Sequence, residues 1–235
     1  MHFSQKIPLV TVERPMKLGE VVRARAAAVP RPSWYALFAK AYAIVSAAQP
    51  ELRRSYMSLP WPRLFEHARN IATVPIERRR NGEDVILYVP LPDPEQHSLQ
   101  ELDAVISDYK NEPLENISFF RTQLWMSRLP RPLRRLCWWL GLNLIGRVRA
   151  YFYGTFGLTG IGAFGASALN LWSPLTTTVT YGVFDSAGNV PARIAFDHRV
   201  MDGIAPARAL AAMEEVLNGE ILEELVGMRS QAKAA

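Results

Sequence analysis

The stretch Phe196-Asp197-His198-Arg199-Val200-Met201-Asp202-Gly203 decides how the rest of this chain is read. Upstream, residues 176–184 and 190–196 are runs of β-branched and apolar residues, the composition of buried strands. Between them Asp185-Ser186-Ala187-Gly188-Asn189 supplies a Gly and an Asn, which tolerate the positive φ of a hairpin loop. Downstream, residues 204–217 carry Ile204, Ala207, Leu210, Ala211 and Val216 at helical spacing. Pro206 falls in the first turn, where a missing N–H costs nothing. The pattern predicts His198 at the end of a buried strand and Asp202 at the entry to the next helix.

An imidazole so placed can serve as a general base, because its ordinary pKa of about 6.5 leaves it largely neutral at physiological pH. A histidine with a purely structural role fits the same position. Asp202 likewise reads either as a functional carboxylate or as a plain helix N-cap. As metal ligands the pair fares worse. The strand-to-turn setting breaks helical spacing, and His2, His67 and His97 add no ligand pattern, so no metal is expected.

Earlier in the chain, residues 6–13 read as a first strand, and 16–28 as a short helix closed by Pro30 and Pro32. Ser33 can cap a helix with Trp34, Leu37, Phe38, Ala41, Ile44 and Val45 on one side, stopped by Pro50. Strands are expected at 71–76 and 84–90. Arg78-Arg79-Arg80-Asn81-Gly82 between them reads as an exposed turn, its arginines solvated or touching the phosphates of a bound ligand. Ser98-Leu99-Gln100-Glu101 is a capping box opening a helix with Leu99, Leu102, Val105, Ile106 and Tyr109 on one face.

Gly154-Thr155-Phe156-Gly157-Leu158-Thr159-Gly160-Ile161-Gly162 suits a strand leading into a loop where backbone passes close to a neighbour. A tight turn between core strands would use the same glycines. A phosphate-cradling loop does not fit, since no Gly-Lys-Ser/Thr follows and the spacing is not a dinucleotide fingerprint.

With 235 residues, 49% of them hydrophobic and 21% charged, the chain can bury one sizeable core, and 1–235 is expected to be one domain. The single Cys137 excludes an internal disulfide framework and a thiolate metal cage. No apolar run follows the first residues, so no signal peptide is expected, and no stretch approaches a transmembrane span. The cytoplasm is the expected compartment.

The run Ala195-Phe196-Asp197-His198-Arg199-Val200-Met201-Asp202-Gly203 resembles the signature of the dihydrolipoamide acyltransferase catalytic domains of 2-oxoacid dehydrogenase complexes. Chloramphenicol acetyltransferase shares its His-x-x-x-Asp-Gly core. The helix ending in Gln49-Pro50-Glu51 and the Ser98-Leu99-Gln100-Glu101 helix resemble that family's elements in the same order. The segment from Gly154 is similar to its "Gly-Thr-Phe-Thr-Ile-Ser-Asn-Leu-Gly", with Thr159 where the family has the serine that stabilises the oxyanion. The resemblance spans roughly residues 7–217.

This resemblance implies an α/β fold, an α+β two-layer sandwich with a mixed sheet and helices on one face, chloramphenicol-acetyltransferase-like. It further implies a coenzyme A-dependent acyltransferase with acyl-CoA and a small-molecule acceptor as substrates. His198 would be the base, Thr159 the oxyanion donor, and Asp202 a residue holding local geometry. The implied assembly is a homotrimer, His198 of one copy facing Thr159 of the next. A non-catalytic homologue serving assembly or a membrane surface is the alternative. The family's lipoyl and partner-binding domains have no counterpart here, nor does its Arg-x-x-Ile-Ala opening helix. The short form is closer to the stand-alone branch.

The largest departure is an insertion at about 113–153 that carries Arg121, Arg128, Arg131, Arg134, Arg135, Arg147 and Arg149, with no acidic residue between Glu115 and Asp185. Aromatics such as Trp125, Trp138, Trp139 and Tyr151 are interleaved. Three readings stand: a helix at 133–145 packed on the sheet with its arginines snorkelling outward, an interfacial helix on an anionic membrane, or a wall of the substrate site. A carrier protein could also use 121–149. No recognition motif supports nucleic acid.

Overall fold

The structure, a computed structural model, describes residues 4–80, 82–160, 165–166, 169 and 172–234. In chain order the strands are β1 (Leu9–Lys17), β2 (Arg54–Met57), β3 (Arg63–Glu66), β4 (Ile71–Arg80), β5 (Glu83–Pro92), β6 (Phe156–Gly160), β7 (Thr177–Tyr181) and β8 (Asn189–Asp197). The helices are α1 (Gly19–Ala27), α2 (Trp34–Ala48), α3 (Leu99–Asn111), α4 (Ser118–Arg128), α5 (Arg131–Asn143), α6 (Gly146–Tyr153), α7 (Ile204–Val216) and α8 (Leu222–Ala234). Six strands form a mixed sheet in the order β1-β8-β7-β6-β4-β5, while β2 and β3 pair as a separate hairpin. β4, β6 and β7 run parallel; β1, β8 and β5 run against their neighbours.

Strand alternation sends Val74, Leu158, Val179, Ile194 and Phe196 to one face, where they join Phe38 and Tyr42 of α2 and Leu210 and Met213 of α7 in a continuous apolar core. α2, α3 and α7 cover that face. The result is the expected two-layer arrangement. Ser33 caps α2 by accepting from the Ala36 N–H, as its sequence predicts, and the buried Tyr42 hydroxyl donates to Thr177 Oγ1 at 2.7 Å. Ser98 and Glu101 form the reciprocal capping box of α3. Glu224 of α8 accepts from Lys40 on α2 at 2.5 Å and from the Leu99 N–H at 2.6 Å, joining three helices.

Three expectations need correction. β1 runs to Lys17, so Met16 is a buried strand residue rather than the start of a helix. The strand pairs with β8 along its whole length, from Leu9↔Asp197 to Lys17↔Asn189, and this overrides local helical propensity. Arg78, Arg79 and Arg80 belong to β4, not to a turn. Arg78 donates to the carbonyls of Tyr109 and Glu112 and so caps the end of α3 (Asn81 lies outside the described residues). Finally, α5 packs chiefly against α6 and the small β2–β3 hairpin, and it exposes Leu133, Leu136 and Leu140 as well as the outward arginines Arg131 and Arg135. No described helix is long and apolar enough to cross a membrane.

Candidate active site

His198 follows the last residue of β8, as its sequence predicts. Its backbone N–H donates to the Pro8 carbonyl at 3.1 Å, and the Val200 N–H donates to the Asp197 carbonyl at 2.9 Å. Residues 197–200 therefore close a β-turn with His198 at its second position. The turn is locked by its own flanks. The Asp197 carboxylate accepts from the Arg199 backbone N–H at 3.0 Å, from Arg199 Nε at 2.9 Å and from Arg199 Nη2 at 2.7 Å. This is a bidentate, charge-assisted pair in which Asp197 is buried. His198 stands at the apex, its imidazole exposed and its ring centroid 5.7 Å from that of Phe196.

Beneath the turn lies a layer of polar groups that sequence reasoning did not single out for the site. The Arg199 guanidinium stacks over the Tyr56 ring at 4.3 Å. Arg149 of α6, 5% exposed, donates to the carbonyls of Tyr56, Leu142 and Pro174. Burial pulls its pKa down to about 10, against the favourable field of Asp197. His67 of β3's trailing loop is buried and bonded through Nε2 to Ser55 Oγ at 2.9 Å; Ser55 Oγ in turn lies 3.2 Å from Thr176 Oγ1. Burial, with Arg149 and Arg53 adding repulsion, holds the His67 imidazole neutral, its pKa lowered to about 4. The Thr176 carbonyl accepts the Asp197 N–H at 2.8 Å, tying this layer to the strand end. Asp197 and Arg199 were visible in the quoted motif; Tyr56 and Arg149 had no local signal.

Asp202 is exposed, and the helix it introduces has no side-chain cap; its backbone carbonyl accepts from the Ala205 N–H at 3.2 Å. The N-cap alternative for its carboxylate is thus not realised. Thr159 sits in β6, on the sheet face away from α2, since its neighbour Leu158 points into the core. The strand end is fixed by Tyr35, whose hydroxyl donates to the Gly160 carbonyl at 3.0 Å, and by the Tyr181 ring, 2.5 Å from where a Cβ on Gly160 would stand. Ile161 and Gly162 of that segment lie outside the described residues.

Register separates the two motif residues within one chain. Phe156, Thr177 and Phe196 form one row across β6, β7 and β8. Thr159 lies three residues from that row in one direction, and His198 two residues from it in the other. Five residues of rise and two strand spacings put them about 19 Å apart.

A mixed sheet backed by helices on one face, with a histidine at the exit of its second strand in spatial order, defines the two-layer fold of the chloramphenicol-acetyltransferase type. Solved structures share it. A probable dihydrolipoamide acetyltransferase from Listeria monocytogenes matches with a TM-score of 0.64 at 16% identity, over 92% of this chain and 86% of that one. Dihydrolipoamide acetyltransferase from Azotobacter vinelandii matches with a TM-score of 0.64 at 16% identity, over 95% and 86%. A chloramphenicol acetyltransferase matches with a TM-score of 0.52 at 13% identity, over 92% of each chain. No protein-family model and no curated protein matches the sequence, so the likeness is one of fold.

Proposed function

We propose that the chain is a coenzyme A-dependent acyltransferase that moves an acyl group from a thioester to a hydroxyl, amine or thiol, with His198 as general base. The carrying observation is the clamped turn that holds an exposed imidazole at the end of a buried strand. A structural histidine would need no such mounting. In the Azotobacter vinelandii enzyme, the residues whose role in the catalytic mechanism was investigated are a serine, a histidine and an asparagine. By resemblance, Thr159, His198 and Asp202 are their counterparts here.

In this reading the His198 imidazole takes the proton of the acceptor, which attacks the thioester carbonyl. The oxyanion of the tetrahedral intermediate accepts a hydrogen bond from the Thr159 hydroxyl. Collapse breaks the carbon–sulfur bond, and the imidazolium returns its proton to the departing thiolate of coenzyme A. Asp202 shapes the passage from turn to helix and carries no proton. Because Thr159 and His198 of one chain stand about 19 Å apart by register, the working pair comes from two copies. A homotrimer with His198 of each protomer facing Thr159 of the next supplies it, and cytoplasmic acyl-CoA supplies the donor.

The test is acyl exchange between acetyl-CoA and dihydrolipoamide, a thiol acceptor. His198→Ala should lower the rate by about 10²–10⁴ and Thr159→Val by about 10²–10³, while Thr159→Ser keeps it. Co-expressing the two inactive chains should restore activity, because every mixed trimer contains one junction with both native residues. Failure of that rescue, with mixed trimers present, would sink the shared site. A wild-type chain that does not bind coenzyme A in calorimetry would point instead to a non-catalytic assembly partner.

A further inference from the structure

We infer a second binding site, a groove for a phosphate-bearing nucleotide, between α4 and the C-terminal end of β4. This inference does not rest on the acyl-transfer reading. One side of α4 seats it on the sheet. Phe120 is buried with its ring against that of Tyr109. The Gln123 amide accepts from the Tyr88 N–H at 3.3 Å and donates to the Tyr88 carbonyl at 2.8 Å, standing in for one more strand residue beside edge strand β5. The other side of α4 carries Ser118, Arg121, Trp125 and Arg128, spaced by three, four and three residues and therefore on one stripe. Together with Arg80 at the end of β4 and Glu115 just before the helix, that stripe lines a groove of about 760 Å³, within the range of small-molecule sites.

The lining selects the ligand. Among the described residues, Arg80, Arg121, Arg128 and Glu115 have no ion-pair partner. Three unpaired guanidinium groups around one groove suit an anion with several oxygens, such as a phosphate or diphosphate, which accepts from their forked donors. Trp125, 58% exposed, lies one turn from both Arg121 and Arg128 and supplies an indole on which a flat ring can stack. Glu115 sorts the polyanions: its carboxylate repels an acidic peptide, yet it can accept the hydroxyl protons of a ribose. Phosphate, sugar hydroxyls and an aromatic base occur together in a nucleotide. The groove is also apart from Thr159. Continuing the β4–β6 register from Thr73↔Gly157 sets Thr159 level with Pro75, and Arg80 lies five residues, about 17 Å, further along the strand. Two sources present this chemistry: a free nucleotide, and the nucleotide end of coenzyme A, whose thioester arm would have to span that distance.

Calorimetry on the full chain with ADP, adenosine, inorganic pyrophosphate and coenzyme A tests this. ADP should bind about tenfold or more tighter than adenosine, which lacks the phosphates, and than pyrophosphate, which lacks the sugar and ring. Arg121→Gln/Arg128→Gln should weaken ADP about tenfold or more, and Trp125→Leu should bring it down to the level of pyrophosphate. These positions are exposed, so both variants should keep the wild-type melting temperature without ligand. Arg80→Gln, on a different element, should weaken ADP in the same direction. Displacement of ADP by coenzyme A but not by pantetheine assigns the groove to the coenzyme, whereas ADP that stays bound assigns it to a free nucleotide. Absence of ADP binding, or ADP no tighter than pyrophosphate in the wild-type chain, overturns the inference. So does ADP binding that all three variants leave unchanged, which would put the nucleotide elsewhere on the molecule.

Discussion

Arg149 shows how a single side chain can hold together segments far apart in sequence. Its guanidinium spans carbonyls of β2, of α5 and of the loop before β7, and it stands close enough to Asp197 to feel its charge. Arg149→Leu leaves three carbonyls without their donor and should cost about 3 kcal/mol or more in urea unfolding. Arg149→Lys should recover only part of that, since an ammonium cannot fork to three acceptors on separate segments. His67 makes a second prediction at this scale. Its pKa is depressed when folded, so the unfolded chain binds the extra proton first. Stability is fully present above about pH 6.5 and declines as the pH falls toward about 4. Between pH 7 and pH 5 the loss should be about 2 kcal/mol, and His67→Gln should flatten that slope. Neither role was legible beforehand. Arg149 reads in sequence as one arginine among seven, and its partner Tyr56 lies 93 residues away. His198 was legible because its strand, turn and helix are consecutive.

Elements whose pattern and neighbours agree were read correctly: α2 from its Ser33 cap and apolar side, α3 from its capping box, α7 from its spacing. Where tertiary pairing decides, sequence misled. β1 is an edge strand with wet alternate positions, and only its register against β8 extends it through Pro15 to Lys17. For α5, helical periodicity reveals an apolar stripe but not the direction it faces, and the outward direction became apparent only from packing. One glycine sets the entrance to β6. Gly154 has φ +82°, and a Cβ there would collide with Thr73 Oγ1, the group that donates to the Tyr153 carbonyl, and stand 2.9 Å from the Ile71 carbonyl oxygen. Gly154→Ala should therefore destabilise by about 1–3 kcal/mol from backbone strain alone, read as a lowered melting temperature.

At the scale of the whole molecule, the mixed sheet does two things with one strand row. It gives the core an apolar face for α2 and α7, and it sends the two motif residues toward opposite ends of its strands. The fold was therefore more legible than the site. Buried strands and capped helices announce themselves locally, whereas the distance between Thr159 and His198 exists only once register is known. Placing a cysteine at each position and linking the pair with a spin-label probe should report the long separation within a chain and a short one between chains of the assembled protein.

That offset has a consequence for how such a protein responds to its own abundance. If neither half of the chemistry can find its counterpart inside one folded chain, a lone protomer is sound but idle. Turnover per chain would then depend on mass action among copies. Diluting the protein through its assembly range should extinguish the reaction before it disturbs the fold, so that scarcity alone switches it off.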